Sequence, residues 1–309
     1  MFSHIPVLLN ESIDNLNIKD GGIYVDCTLG GGGHSKEILK RIPNGRLIGI
    51  DQDIDAIEAA KENLKEFENV TYVKANFSDL ENILDNLNID KVDGILMDIG
   101  VSSHQFDTGE RGFSHHFGAK LDMLLAQDME WTAYDVVNNY PVEDLQNIFW
   151  KYGEEKWGKR IAEFIVEERK DKPIETTFQL VDIIKKAIPK KARQDGGHPA
   201  KRVFQALRIE VNKELDVLEK AINASVERLN IGGRLVIISF HSLEDRIVKN
   251  TFRDLSRGCT CPSDFPVCVC NNKRKVKKIG KLITPSEEEI KNNKRAKSAK
   301  MRVCERVEE

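Results

Sequence analysis

The chain of 309 residues lacks any apolar run close to the roughly 20 residues that a membrane-spanning helix requires. Residues 1–11 contain neither a basic segment followed by an apolar stretch nor a small-residue cleavage site, so they show no export signal. We therefore expect a soluble, cytoplasmic protein. In that reducing compartment the six cysteines are expected to be metal ligands or inert thiols rather than disulfides.

The chain also lacks a strong excess of charge of either sign. A formal net charge of -3 and a pI of about 6.2 argue against a generic nucleic-acid coat. Basic residues are nevertheless concentrated in two runs: residues 185–202 hold seven against one acid, and residues 273–302 hold twelve against three. Phosphate groups are the obvious partner of such runs. The alternative for the second run is a solvated surface or a flexible tail.

Apolar patterning predicts an α/β fold. Short apolar runs at 23–26, 47–51, 70–73 and 94–98 alternate with amphipathic stretches, as expected for βα units around a parallel sheet. After residue 105 the pattern is helical, with starts predicted at Thr132, Pro141 and Thr177. We therefore predict a Rossmann-like domain of residues 1–105 and 206–309 that is interrupted by a helical insertion of residues 106–205.

The chain is expected to return to the sheet through one long amphipathic helix. Its apolar stripe runs from Val203 to Leu229 in steps of three and four residues. The turn Gly232-Gly233 then leads into a predicted strand at 235–240. Beyond Gly258 we predict no regular structure.

The segment 26–34 (DCTLGGGGH) follows a predicted strand and precedes a predicted helix at 35–41. Four consecutive glycines predict ligand binding rather than packing, because glycine lets the backbone turn tightly and approach a ligand beside helix amides. A purely structural turn is the alternative. The segment lacks the Gly-Lys-Ser/Thr ending of a P-loop, which disfavours nucleoside triphosphate hydrolysis.

Asp51 ends the second predicted strand, some twenty residues after the glycines. A carboxylate there can accept hydrogen bonds from both hydroxyls of a ribose, so an adenosyl cofactor is expected. This position does not separate S-adenosyl-L-methionine from NAD. The sequence LNIGGRL at 229–235 is typical of methyltransferases, and an oxidoreductase would be expected to carry a recognisable catalytic Tyr-Lys or His pair.

Ordered blocks of distinctive sequence run along nearly the whole chain. They are HIPVLL at 4–9, DCTLGGGGH at 26–34, DGILMDIGVSSHQ at 93–105, ERGFS at 110–114, YGEE at 152–155, HPAKRVFQALRI at 198–209 and SFHSLEDR at 239–246. Together these blocks resemble the RsmH family, also called MraW. The resemblance implies transfer of a methyl group from S-adenosyl-L-methionine to the exocyclic amine of a cytidine in the decoding region of small-subunit ribosomal RNA. It also implies that the insertion recognises RNA, as naked RNA or within the assembled subunit. The cofactor contacts that it implies are Gly32, Gly33, His34, Asp51, Phe77, Asp98 and Gln105.

The exocyclic amine of cytosine is a poor nucleophile because its lone pair is delocalised into the ring, so an acceptor near its hydrogens is expected. Asp98 is the first candidate, facing the amine or the methionyl part of the cofactor. DNA enzymes that methylate amines carry an Asp/Ser/Asn-Pro-Pro-Tyr/Phe loop at this place, and this chain does not. His241, Glu244 and Asp245 form a second group, for which substrate positioning or local structure is the alternative.

Two further features stand out. Cys259, Cys261, Cys268 and Cys270 could supply four thiolates to zinc, although structural zinc sites more often have gaps of two to four residues within each pair. The family usually reads Leu-Asp-Met-Arg-Met-Asp where this chain has LDMLLA at 121–126. If the missing arginine contacts RNA, Leu124→Arg with Ala126→Asp would raise methyl transfer. If Leu124 is buried in a repacked loop, the new charge would destabilise the protein.

The predicted function is an RNA cytosine methyltransferase. A related methyltransferase with another RNA target, a non-catalytic ribosome-assembly protein and an NAD oxidoreductase are the alternatives.

Overall fold

The computed structural model describes residues 6–100, 111–126, 130–193, 198–259, 261, 267, 269, 270 and 272–307. The chain divides into two compact units. The sheet unit consists of Met1–Gly100 and Leu215–Glu309, and the inserted unit consists of Val101–Glu214. Gln105 and Cys268 lie outside the described residues.

A seven-stranded sheet organises the sheet unit in the order β3-β2-β1-β4-β5-β7-β6. Its strands are β1 (Ile23–Asp26), β2 (Arg46–Asp51), β3 (Val70–Lys74), β4 (Val92–Asp98), β5 (Leu229–Ser239), β6 (Val276–Ile283) and β7 (Lys300–Arg306). Strands β1 to β5 are parallel, whereas β7 runs antiparallel to both β5 and β6. The predicted α/β, Rossmann-like architecture is confirmed.

Helices cover both faces of this sheet. They are α1 (Leu9–Leu16), α2 (Gly33–Leu39), α3 (Ile54–Asn63), α4 (Leu80–Asn86), α10 (Glu214–Arg228) and α11 (Ser242–Leu255), and a short helix without buried residues, α12 (Glu287–Asn292), follows β6. Because neighbouring strand residues point to opposite faces, Tyr24 packs with α1 to α3, whereas Val25 packs with α4, α10 and α11. Packing of the two apolar cores against the sheet fixes the positions of the parallel strands β1 to β5, whose carboxyl ends therefore lie at the same edge of the sheet.

The expectation that regular structure ends at Gly258 is wrong, because strands β6 and β7 follow. β6 was not predicted because its lysines, including exposed Lys278 and Lys281, interrupt the apolar pattern of a strand. A strand at the edge of a sheet needs little apolar surface and commonly carries lysines. Strand β5 also begins at Leu229 rather than at 235. Gly232 (φ 81°) lies within it, at a register shift against β4 between Val92 and Gly94.

The single long helix predicted from Val203 to Leu229 is likewise wrong. It is two helices, α9 (Lys201–Asn212) and α10, because Lys213 between them takes a left-handed conformation with φ 51°. The apolar spacing continues through the break, so periodicity alone could not reveal it. None of the helices in the described part of the chain is long and apolar enough to cross a membrane.

The inserted unit is helical. Its elements are α5 (Ala133–Asn139), α6 (Val142–Lys151), α7 (Gly158–Asp171), α8 (Thr177–Ala187) and α9. Thr132 caps α5 in a capping box with Asp135, and Pro141 immediately precedes α6, as predicted. The cap of α8 is Thr176, one residue before the predicted position. These helices enclose an apolar core of their own.

Candidate active site

The candidate site lies at the carboxyl ends of the central strands of the sheet unit. From β1 the chain order runs outward through β2 and β3 on one side, and β4 lies on the other side. Such a reversal leaves a crevice where open α/β sheets bind ligands. It brings the glycine segment after β1, Asp51 after β2 and Asp98 after β4 to one edge.

Asp26 organises the glycine segment. Its Oδ2 accepts a hydrogen bond from the Ser35 hydroxyl (2.7 Å), and its Oδ1 accepts one from the Thr28 amide (3.2 Å). Burial raises the pKa of this carboxyl. Thr28 in turn accepts a hydrogen bond at its Oγ1 from the Asp98 amide (2.7 Å). Sequence reasoning missed these roles, although a carboxylate directly after a buried strand was a visible signal for Asp26.

The four glycines have two different roles. Gly30 (φ 50°) and Gly32 (φ 79°) occupy the left-handed region, which favours glycine. A Cβ atom on Gly33 would lie 2.4 Å from Cγ of Pro6, so this glycine is required by close packing. The expectation that packing plays no part is therefore wrong. At Gly30 and Gly31 an added Cβ would meet nothing nearer than 3.8 Å, so the segment is open to a ligand there.

Asp51 connects β2 to the glycine segment. Its Oδ2 accepts a hydrogen bond from the Gly30 amide (2.8 Å), and its Oδ1 accepts one from the Asp53 amide (2.9 Å). Burial raises the pKa of this carboxyl to about 6. Each carboxylate oxygen has a second lone pair, so both could still accept a ribose hydroxyl.

Asp98 is a largely buried acid, with its side chain 18% exposed, and it faces a buried histidine. Its Oδ1 has no hydrogen-bond partner within the described residues, and its Oδ2 lies 3.9 Å from Nδ1 of His34. Burial, followed by the charges of Asp26 and Glu244, raises the pKa of Asp98 to about 8. His34 Nε2 lies 3.1 Å from the Val7 carbonyl oxygen, which can only accept, so Nε2 carries the proton. Burial lowers the pKa of His34 to about 4.

Phe77 follows β3 and opens a short 3-10 turn, Phe77–Asp79. It is partly buried against the apolar core. Asn76 positions this turn by accepting a hydrogen bond from the Ser78 amide (3.0 Å) and donating one to Gln52 Oε1 (3.1 Å). A partly exposed ring at this edge is compatible with the predicted adenine contact.

The second group of candidate residues, His241, Glu244 and Asp245, forms structural contacts at the start of α11. His241 is the N-cap of this helix and lies 2.9 Å from Glu244 Oε1 through its Nε2. Glu244 Oε2 accepts hydrogen bonds from the amides of Phe240 and His241. Asp245 forms a bidentate ion pair with Arg302 of β7, which lowers its pKa despite the opposing effect of burial. These contacts favour the alternative of local structure.

The residues of this edge fit S-adenosylmethionine. Asp51 could hold the ribose, the open side of the glycine segment could receive the methionyl part, and Asp98 presents a buried oxygen without a partner in the described chain. An unpartnered buried polar atom is costly and is expected where a ligand completes its bonding.

In the inserted unit, the sequence block LDMLLA is part of the core. Leu124 is 5% exposed. Its carbonyl accepts a hydrogen bond from Arg111 Nη2 (2.9 Å), and Asn212 bonds the neighbouring Leu125 amide (2.9 Å) and Met123 carbonyl (2.8 Å). The burial of Leu124 favours the repacked-loop interpretation over a lost RNA contact.

Both basic runs contain exposed side chains. Lys201 and Arg202 are exposed at the start of α9. The same unit holds three neighbouring histidine rings that sequence reasoning missed: His115 lies 4.2 Å from both His116 and His198, measured between ring centroids. Burial, with the charges of these neighbours, lowers the pKa of His115 to about 4.

The C-terminal run is folded rather than a flexible tail. It forms β6, β7 and the turn Lys294–Ser298, whose Lys294, Arg295 and Lys297 are exposed around buried Ala296. Lys201 and Arg202 of the first run, together with the C-terminal run, can therefore present positive charge from helices, strands and a turn.

Comparison with known proteins identifies the family. The model of the MraW methylase family matches residues 1–307. A ribosomal RNA small subunit methyltransferase H from Clostridium botulinum (strain Loch Maree) is 60% identical over 99% of both chains. One of the same name from Finegoldia magna is 58% identical over 99% of both. The structure of an rRNA methylase from Streptococcus thermophilus aligns with a TM-score of 0.46 at 11% identity, over 99% of this chain and 100% of that one.

The match to the family model covers almost the entire sequence, and the relatives are matched along almost their full length. The sheet order and the site at its edge agree with that membership. The chain belongs to the MraW methylase family, whose cofactor is S-adenosylmethionine, and its sheet unit has a Rossmann-like fold.

Proposed function

We propose that this protein transfers a methyl group from S-adenosylmethionine to the exocyclic amine, N4, of a cytidine in the decoding region of small-subunit ribosomal RNA. The names of relatives at about 60% identity support the small subunit as the substrate. The choice of N4 of cytidine rests on the family resemblance and on the chemistry of Asp98. A protein that methylates ribosomal subunits would act in the cytoplasm.

The observation that carries the proposal is the Oδ1 atom of Asp98, which has no hydrogen-bond partner among the described residues and lies beside the glycine segment. When bound, S-adenosylmethionine supplies a methyl group on a positively charged sulfonium. A carboxylate at Asp98 can then accept a hydrogen bond from the amine and receive its proton as the lone pair is withdrawn from the ring. Asp51 and the glycine segment would hold the cofactor, so that methyl and amine can be brought into line.

Asp98 must be ionised to accept that proton, yet its pKa of about 8 keeps it largely protonated at neutral pH without a ligand. A nearby cation favours the charged form of a carboxyl. Cofactor binding would therefore activate Asp98 for its role.

RNA recognition is proposed for the inserted unit and for the C-terminal run. Their exposed lysines and arginines can contact phosphates without sequence preference, which positions RNA. Selection of one cytidine then requires contacts to the base itself.

The test uses small ribosomal subunits from a strain that lacks the corresponding gene. Purified protein and S-adenosylmethionine carrying a labelled methyl group are added, and the RNA is digested for nucleoside mass spectrometry. We expect label in N4-methylated cytidine. The Asp98→Ala variant should bind subunits normally and transfer no methyl group.

Other outcomes separate the alternatives. Label in a different nucleoside would support a related methyltransferase with another RNA target. Subunit binding by wild-type protein without any transfer would support a non-catalytic assembly role. Naked ribosomal RNA, tested in parallel, shows whether the assembled subunit is required.

A further inference from the structure

The segment between α11 and β6, residues 256–275, brings cysteine side chains together in the sheet unit. The Sγ atoms of Cys259, Cys261 and Cys270 all lie within 4.8 Å of one another. Cys259 and Cys270 are closest, with a distance of 3.7 Å between their Sγ atoms. Three thiols converge on one point even though eleven residues of sequence separate the first from the last.

This spacing matches the edge of a zinc-thiolate tetrahedron. With Zn–S bonds of about 2.3 Å at tetrahedral angles, neighbouring sulfurs are separated by about 3.8 Å. A disulfide requires a sulfur separation of only about 2.05 Å. The observed 3.7 Å, at which the Cys270 thiol donates a hydrogen bond to Cys259 Sγ, is far too long for a disulfide and matches the separation of two sulfurs that share a zinc ion.

Backbone amides point at two of the sulfurs. The Val269 amide donates to Cys261 Sγ (3.3 Å), and the Asn272 amide donates to Cys270 Sγ (3.5 Å). Hydrogen bonds from backbone amides are part of the surroundings that metal-ligating sulfurs have in proteins. The segment thus already supplies part of the environment that ligating sulfurs need.

The two described valines of the segment contribute little apolar packing to this arrangement. Val267 and Val269 are 69% and 67% exposed. Its ends are anchored, since Lys275 donates a backbone hydrogen bond to the Leu255 carbonyl (3.0 Å) and Asn272 Nδ2 donates to the Gly258 carbonyl (2.7 Å). Where a core cannot order a short segment, a structural metal commonly does so.

We propose that Cys259, Cys261 and Cys270 bind one zinc ion, which cross-links the chain at these three positions between α11 and β6. Zinc is the metal favoured by a cluster of thiolates in tetrahedral geometry. Cys268 lies outside the described residues and is not part of the proposal.

The test measures metal in the full-length protein, purified under reducing conditions without a histidine tag. Elemental analysis should give about one zinc per chain. Cobalt(II) put in place of zinc should produce the intense near-ultraviolet absorption of thiolate-to-metal charge transfer. Cys259→Ser, Cys261→Ser and Cys270→Ser should each reduce bound zinc at least about tenfold, because each removes one thiolate. Cys304→Ala, which changes a buried cysteine of β7, should keep the metal.

The serine variants are also assayed for S-adenosylmethionine binding, to show that the sheet unit remains folded. Loss of zinc with cofactor binding retained supports the proposal. Wild-type protein that contains no zinc and takes up none would overturn it. Iron in place of zinc, or a Cys259–Cys270 disulfide found by mass spectrometry under reducing conditions, would equally overturn it.

Discussion

The Oδ2 atom of Asp98 lies 3.9 Å from Nδ1 of His34, within ion-pair distance, yet burial works against the charged form of both groups. The acid has a pKa raised to about 8 and the imidazole a pKa lowered to about 4. At neutral pH a largely protonated carboxyl therefore faces a neutral ring. The edge of the sheet holds an acid that a bound cation would ionise.

Asp98→Asn should change how stability depends on pH. The folded pKa of Asp98 is raised from 3.8 to about 8, so its favourable contribution to folding is lost as pH rises through that window. One pKa unit corresponds to about 1.4 kcal/mol, so even half of this shift would amount to roughly 3 kcal/mol. Without ligand, the variant should be more stable than wild type above pH 8, by urea unfolding, and should converge with it near pH 4. If the free energies of unfolding of wild type and variant change in parallel at all pH values, the raised pKa is contradicted.

Asp51→Ala should weaken S-adenosylmethionine binding at least about tenfold, because two charge-assisted ribose hydrogen bonds of about 1.5 to 3 kcal/mol each are lost. The change also removes the acceptor of the Gly30 amide, so the glycine segment should loosen. Titration calorimetry measures the affinity. The control is Glu58→Ala on α3, which removes an exposed carboxylate paired only with Lys61 among the described contacts. Unchanged affinity in Asp51→Ala would refute the ribose assignment.

His241→Ala should lower the free energy of unfolding by about 1 kcal/mol, since the N-cap of α11 is lost. His241→Asn supplies another good cap and should restore stability. If the role of His241 is structural, the asparagine variant keeps methyl transfer within about threefold of wild type. A fall in turnover of about a hundredfold or more with an unchanged thermal midpoint would instead indicate catalysis.

Leu124→Arg should destabilise the protein by about 3 kcal/mol or more, because it places a charge in the core of the inserted unit. Ala126→Asp, at a partly exposed position in the same block, is the matched control and should have little effect. Thermal unfolding and methyl transfer are measured on both variants. Higher turnover of Leu124→Arg at an unchanged midpoint would revive the hypothesis of a lost RNA contact.

Charge reversal of the basic runs should weaken RNA binding and reduce its dependence on salt. Each phosphate contact contributes about 0.7 to 0.9 to the slope of log K against log salt. The variants are Lys201→Glu with Arg202→Glu, and Lys294→Glu with Arg295→Glu and Lys297→Glu. Lys61→Glu with Lys65→Glu, exposed near the end of α3, is the control. A slope unchanged from wild type would identify the runs as solvated surface. The affinity for S-adenosylmethionine should be the same in all three variants.

Local sequence was sufficient for much of the sheet unit. Alternating apolar runs locate β1 to β4, and their acidic ends locate Asp51 and Asp98, because a buried parallel strand needs continuous apolar residues and its carboxyl end meets ligands. The glycines at 30–33 locate the turn, since few other residues tolerate left-handed backbone. These signals depend on neighbours in the chain and can be read without knowledge of distant contacts.

Contacts between distant residues decided the rest. The sequence does not show that Gly33 packs against Pro6, that Thr28 bonds the Asp98 amide, or that the long apolar stripe breaks at Lys213. The same holds for the raised pKa of Asp98, since desolvation depends on everything that surrounds a carboxyl in space. Sequence determined which residues could serve the site, and only tertiary packing decided which are buried, charged or already bonded.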